Sequence, residues 1–594
     1  MAKTPRHKDT DLVTYAIFFG GKEMSEEKEL LSAEITREVN KIPTAKIVII
    51  DGDPSKEEFE ISEKEGYEPG TEVRIAAGYH QKMETVFEGV IVTHGTKIKE
   101  SHSSELTIEC IDKTAALAQK KKNEYFENMT DSDIINKIIG NYSGISKDIE
   151  STSINHKKVV QYSSSDWDFI ITRAEINGKI VVVDNGKIIV KKPELKNPKI
   201  KLTHGHDMRK VNLKLDSKKQ LSQVKCTAWD MTQQKVVEVT SDESKIKYSF
   251  GKLTGKKMSE AIPDDTFELH TTTPLDKEYM KSWANAKLLR SRLSSVRGNI
   301  AFQGNHEALP NTVVNVNGMG ENMNGDAFVS KVTHNIRAGE WTTEVGIGVD
   351  AESFSESKSD IKSSTGGIPG VEGLCNGVVK KIHADPDGDM RVLVDIPVIA
   401  ESGDGVWARF SSPYATKDAG IFFMPEVGDE VVLGFLGNDP RYPIILGSLH
   451  SKKNVASYDP DQPNTFKGIV TKNQLKIEFQ DQKKEITIET PAGNTVIISD
   501  AGKSIKIKDQ NNNKIEMTTS GILLDSPKDI TIKAKGKIVL DAVNNLEAKT
   551  RATAKLEGTN VNIKANAQFE AKGAMAKLNG TGMTEVKGGI VKIN

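Results

Sequence analysis

The stretch Gly521-Ile-Leu-Leu-Asp-Ser-Pro-Lys-Asp-Ile-Thr-Ile-Lys-Ala-Lys-Gly-Lys-Ile-Val-Leu540 repeats an apolar pair with a stride of eight: Ile522/Leu524, Ile530/Ile532, Ile538/Leu540. Within a pair the spacing is two, so both side chains leave one face of a short strand. Gly, Asn, Asp and Lys fill the gaps between pairs, and these are turn residues. Upstream the pattern runs through Leu475/Ile477, Ile486/Ile488, Val496/Ile498, Ile505/Ile507 and Ile515/Met517. Downstream it continues through Leu546/Ala548, Ala554/Leu556, Val561/Ile563 and Phe569/Ala571, then less regularly at Leu578, Val586 and Ile593. The stride varies before Ile522 and settles at eight from there to Ala554.

A strand with two inward residues cannot bury a core alone, so the repeats must stack. Eight residues are too few for a full three-faced coil of a single-chain solenoid and cover one face of a prism. Three chains winding together supply all three faces. The expectation is a C-terminal intertwined trimeric β-helix, or β-prism. Aliphatic side chains line its axis, lysines lie outside, and every internal edge pairs with another chain. About 15 rungs at roughly 4.8 Å make a needle on the order of 70 Å long. From about residue 470 only Phe479 and Phe569 are aromatic, which suits a rod better than a ligand cleft.

The 594 residues exceed what one core holds, so several domains are expected. The 81 basic and 83 acidic residues nearly balance, and no basic face announces a nucleic-acid partner. Cys110, Cys226 and Cys375 are scattered and odd in number, which fits reduced, cytoplasmic synthesis. The opening Met1-Ala-Lys-Thr-Pro-Arg-His-Lys lacks the apolar run of a signal peptide, and no stretch is apolar enough to span a membrane.

Residues 1–355 read as mainly β with some α. Thr130 caps a helix carrying Ile134, Ile135, Ile138 and Ile139 on one face. Ser165 with Asp168 opens a second helix that Gly178 ends, and Thr273-Pro274 opens a third, to about Leu293. Phe87-Glu-Gly-Val-Ile-Val-Thr-His94 with Glu105–Cys110 is echoed by Phe328-Val-Ser-Lys-Val-Thr-His334 with Glu344–Val349. The echo suggests two related β-barrels. Residues 356–370 are polar, small and glycine-rich, hence a linker; 371–450 read as a small barrel, 451–470 as a connector and 471–594 as the needle.

The third zone carries a resemblance. Gly377-Val-Val-Lys-Lys-Ile382, Asp385-Pro-Asp-Gly-Asp-Met-Arg-Val-Leu-Val-Asp-Ile-Pro397, Trp407–Ala415, Gly420–Phe435 and Asn438-Asp-Pro-Arg-Tyr-Pro-Ile-Ile-Leu-Gly-Ser448 resemble the OB-fold of VgrG and phage tail-spike proteins. Ser165–Gly178 and Leu288-Leu-Arg-Ser-Arg-Leu293 resemble the tail-hub half of the same family. The resemblance implies a homotrimer whose six hub barrels sit under a sixfold inner tube within a baseplate. It also implies a PAAR-repeat tip cap, effector cargo, passage through a target membrane on sheath contraction, and secretion or injection with the particle. Val591, Ile593 and Asn594 are the expected cap-binding residues, because an unfinished stack exposes edges and apolar ends. Phage spikes can carry a lysozyme domain after the OB-fold and some VgrG proteins a toxin after the needle. The sequence offers no segment for either here, so no enzyme, no catalytic residue and no cofactor is expected. The alternatives are a spike with cell-wall hydrolase or toxin activity, and a trimeric glycan-binding fibre.

Other motifs read as structural. Asp385-Pro-Asp387-Gly-Asp389 resembles part of a calcium loop but has Met390 and Ile396 where an EF-hand needs Gly and Glu, so a turn is expected. His204 and His206 lack a third ligand nearby, His94 and His334 read as packing residues, and no metal is expected. Lys120-Lys121-Lys122 reads as a solvated loop. Trp407, Phe410, Tyr414, Phe422 and Phe423 sit among acidic residues, which favours core and intersubunit packing over single-strand binding.

Overall fold

The computed structural model describes residues 2–5, 12–25, 29–100, 104–230, 235–243, 246, 248–262, 266–271, 273, 275–357, 364–397, 399 and 404–593. It divides into two compact units, Met1–Ala456 and Ser457–Asn594.

The N-terminal unit is built on a continuous sheet of thirteen strands. The two echoed segments are antiparallel hairpins in that sheet: Lys82–Ile98 with Ser104–Ile111, and Gly325–Arg337 with Glu340–Ile347. Each long strand carries a bulge, between Ile91 and Thr93 and between Val329 and Lys331, which bends it around its core. One core gathers Ile17, Ile35, Ile47, Phe87, Leu106 and Ile108. The other gathers Val296, Phe302, Val314, Phe328 and Val345. Leu30–Glu38 joins the halves by pairing with Gly325–Arg337, which sets His334 opposite Ile35.

Local chemistry places the helices. The Thr130 hydroxyl accepts from the Asp133 N–H while the Asp133 carboxylate accepts from the Thr130 N–H, a reciprocal cap that starts Asp131–Gly140. Its four isoleucines are buried. Ser165 Oγ accepts from Asp168 N at 3.1 Å to open Asp166–Ile176, and Gly178 follows at φ 63°. The third helix begins later than its sequence suggests, at Lys277, with Asp276 in extended geometry before it; Pro274 lies outside the described residues. It ends at Leu293. Lys121 and Lys122 are not in a loop: they open the strand Lys121–Thr130.

The glycine-rich segment before the barrel is pinned at its end, since Ile368 is fully buried against Trp167, Phe169 and Ile134. Its composition hides this because one apolar residue is enough to anchor it. Cys375–Lys381, Val392–Asp395, Val406–Phe410, Glu430–Phe435 and Pro443–Ser448 then form a closed five-stranded barrel. Inward residues such as Val379, Val394, Ala408, Leu433 and Ile445 fill it, and Val160 of the hub packs against them.

In the C-terminal unit seven five-residue strands make one antiparallel sheet from Phe466 to Asp525. Among the described residues from Ser526 to Ile593 no strand pairs within the chain.

Candidate functional site

The strands of the C-terminal sheet are Phe466–Val470, Lys476–Gln480, Glu485–Glu489, Thr495–Ser499, Ser504–Lys508, Lys514–Thr518 and Gly521–Asp525. Their register lines the apolar residues into two columns on one face. Phe479, Ile486, Ile498, Ile505, Met517 and Ile522 oppose one another in turn. Beside them run Ile477, Ile488, Val496, Ile507, Ile515 and Leu524. The first inward pair is therefore Ile477/Phe479, not Leu475/Ile477: Leu475 lies in the preceding turn, where its carbonyl accepts from Thr471 N at 2.9 Å.

The reverse face is mostly polar, with Ile497 and Leu523 among its apolar members. Lys506 stands opposite Glu516, and Lys476 Nζ lies 3.1 Å from Glu478 and 3.3 Å from Glu489. Partial burial pulls the Lys476 ammonium down in pKa, and the hydrogen bonds to these carboxylates more than offset that, so it stays above the ordinary lysine value.

Left-handed residues at Gln474, Lys484, Gly493, Lys503 and Asn512 turn the chain back at intervals of nine or ten. Asp509 shows how such a turn is held, accepting from the N–H of Asn511 and of Asn513, both at 2.8 Å. These hairpins correct the expectation that every edge in this region pairs with another chain. Four or five residues separate the first six strands and two, Thr519-Ser520, separate the last pair, each enough for a tight reversal, so pairing closes in cis. From Ile522 the stride is a constant eight, and the in-chain ladder ends with Asp525.

The aliphatic face has no cover in the single chain. Ile505 is 40% exposed, Ile522 72% and Leu540 71%. Covering the rest of one such side chain gains roughly 1 kcal/mol, so the twelve of the sheet gain on the order of 10 kcal/mol per chain before the cost of association. Val591 and Ile593 are also exposed, and Asn594 lies outside the described residues.

The remaining motifs are placed as follows. Asp385 accepts from Arg391 Nη2 at 2.6 Å, from Arg391 N at 3.1 Å and from Asp389 N at 2.9 Å, while Asp387 takes Lys157 and Arg391. The carboxylates are spent on cations of the chain itself. His206 Nδ1 lies 2.9 Å from Asp207, His94 Nδ1 2.8 Å from the Tyr67 carbonyl, and His334 Nδ1 3.0 Å from Thr343 Oγ1. Among the described residues no group of three or more His, Cys, Asp or Glu gathers as a metal site. Lys122 donates to Asp166 at 2.6 Å. Phe410 packs on the barrel core, whereas Tyr414, Phe422 and Phe423 are exposed on the excursion between barrel strands.

Sequence reasoning missed a buried polar chain where hub meets barrel. Asp131 accepts from Arg173 Nε and from Asn177 Nδ2, both at 2.7 Å, with His156 Nε2 3.1 Å away. Burial would raise the Asp131 pKa, but the Arg173 charge and the His156 contact hold it well below the usual carboxylate range. Arg173 reaches Tyr279, whose ring also faces Arg441 of the barrel, itself paired with Asp439 at 2.7 Å. The one available signal was Arg173 close behind the apolar run Phe169-Ile-Ile171; Asp131, Asp439 and Arg441 sit in polar, turn-like stretches that give none.

A hub sheet, a closed barrel and a short-strand repeat, in that chain order, define a tail hub-and-spike protein. A family model described as the Alg8 N-terminal domain matches residues 9–338, more than half of the chain. One described as the type VI secretion system/phage-baseplate injector OB domain matches 375–450. The chain belongs to the VgrG and phage tail hub-and-spike family, with an N-terminal half of the Alg8 type.

The type VI secretion system spike protein VgrG5 of Pseudomonas aeruginosa is 29% identical over 117 residues, covering 18% of this chain and 15% of that protein. The spike protein VgrG3 of Vibrio cholerae is 30% identical over 129 residues, covering 21% and 12%. The matched region thus spans less than a fifth of these curated relatives. The solved Francisella PdpA-VgrG complex in its lidded form shares the fold, with TM-score 0.51 and 10% identity over 87% of this chain and 80% of that one.

Proposed function

We propose that three copies of this chain assemble into the central spike of a contractile injection apparatus and act by stiffness and shape, without catalysis. The observation that carries this reading is the uncovered aliphatic face, whose stride becomes a constant eight where in-chain pairing stops. A segment with paired apolar residues and no in-chain ladder satisfies its backbone and buries its side chains when equivalent segments from two other copies complete each rung.

In this reading the hub half meets the inner tube and baseplate, and the barrel forms a collar. The needle concentrates the force of sheath contraction on a small area of the target envelope. A PAAR-type cap covers Val591 and Ile593, and effector cargo travels with the spike. Support for these partners comes from the spike and baseplate family to which the chain belongs. The test is the native mass of the purified chain with a low-resolution image. Three chains and a tapering rod are expected; a well-folded single chain overturns the reading.

A further inference from the structure

The C-terminal unit changes charge where it changes architecture. The sheet segment 466–525 is balanced, with nine lysines against eight acidic residues. From Ser526 onward there are twelve Lys and Arg against six Asp and Glu, while residues 1–525 hold 69 basic against 77 acidic. The chain as a whole has a net charge of −2, so its C-terminal segment is a positive island of +6 on a negative body.

We propose that this segment is a cationic shaft that engages the phosphate headgroups of an anionic phospholipid surface; the proposal rests on the three-chain needle described above. Part of the charge is already neutralised along the chain: Lys549 lies 2.7 Å from Glu547, and Lys555 and Lys587 pair with Glu557 and Glu585. Lys528, Lys533, Lys535, Lys537, Lys564 and Lys577 have no carboxylate partner among the described residues, and all are exposed. Lys533 alternates with the inward pair Ile530/Ile532, so winding the pairs onto an axis turns it outward.

Three copies bring a surplus of eighteen charges. With eight-residue rungs they lie along roughly 40 Å of shaft. Neighbouring charges then fall within about one Debye length, 8–10 Å, and their fields add at an anionic leaflet. The chemistry favours headgroups over nucleic acid. Lysine point charges dominate, Arg551 is the single arginine after Asp525, and Phe569 is the single aromatic, which leaves nothing for base stacking.

The experiment uses the full chain, its mass fixed by sedimentation equilibrium in the same buffer, mixed with vesicles of pure phosphatidylcholine or of equal parts phosphatidylcholine and phosphatidylglycerol. Co-sedimentation is expected with the mixed vesicles alone, and its loss at high salt. Replacing Lys528, Lys533, Lys535 and Lys537 together by Gln should lower partition at least about tenfold. The same change at Lys472, Lys483, Lys503 and Lys508 of the sheet should leave it unchanged. A trimer that ignores mixed vesicles, binds both kinds equally, or binds duplex DNA more tightly at equal phosphate overturns the inference and leaves the needle standing. A chain of monomeric mass overturns the needle itself.

Discussion

The guanidinium of Arg441, in the barrel, lies 5.6 Å from the ring centroid of Tyr279, on the hub helix Lys277–Leu293. Tyr279 thus receives cations from both bodies, because Arg173 of the hub stands 5.9 Å from the same ring. Asp439 keeps Arg441 charged against burial, its carboxylate accepting from Arg441 Nε at 3.0 Å and Nη2 at 2.7 Å. Val160 of the hub completes the barrel core, so apolar packing and a sealed ionic chain span the same joint.

Asp439→Ala strands the Arg441 guanidinium in a site almost closed to solvent. A cost of about 3–5 kcal/mol in unfolding free energy is expected, read from urea denaturation. Adding Arg441→Met should restore part of it, since replacing both members removes the unpaired charge. A single-variant loss under about 1 kcal/mol would show that the pair is not sealed.

Calcium should not stabilise the chain. The Asp385 carboxylate is held by Arg391 and backbone N–H groups and sits well below the usual carboxylate range, chiefly through the Arg391 hydrogen bond. Thermal melting with calcium or with chelator should coincide. Arg391→Met should cost about 2 kcal/mol by removing charge-assisted hydrogen bonds to a mostly buried carboxylate.

Much of this architecture was legible in the chain. The caps at Thr130 and Ser165 act over three residues, and the period-two pairs set their own face, so both read locally. The barrel read through turn-and-strand motifs such as Asp385–Pro397. What did not read was set by long-range contact. The hairpins of Phe466–Asp525 depend on left-handed residues such as Gln474, Lys484 and Lys503, types with no strong preference for that conformation. Leu475 looked inward by spacing because nothing in its own identity marks it as a turn residue. The Asp131–Arg173 pair went unseen because its members are 42 residues apart, and the local Asp439–Arg441 pair read as a turn because the Tyr279 ring that buries it is distant in sequence.

His334 gives the hub a pH dependence. It is fully buried beside Thr343 and Trp341, and burial, followed by the Arg37 and His306 charges, pushes its pKa down to about 3. The folded state therefore keeps the ring neutral while the unfolded chain protonates near the ordinary value of about 6.5. Stability contributed by this group is complete above that value and is lost as pH falls from there towards 3. The loss is of order 4 kcal/mol by pH of about 3. His334→Asn should flatten the slope of unfolding free energy between neutral and mildly acidic pH, and an unchanged slope would remove His334 from the account.

Ile505 offers the sharpest separation of assembly from folding. It lies mid-sheet on the aliphatic face, opposite Ile498 on one side and Met517 on the other, while its neighbour Lys506 points to the reverse face opposite Glu516. In a single chain that aliphatic face is uncovered, so Ile505→Lys leaves the sheet's own ladder intact. Around a shared axis the same change brings three ammonium groups together in an apolar interior, at several kcal/mol each. Native mass should fall to one chain for Ile505→Lys while the hub and barrel melt as before. Lys506→Thr, one residue away, should keep the mass of three chains. An Ile505→Lys protein that remains a stable trimer would place this face away from the axis and leave the period-two pairs without the burial that explains them.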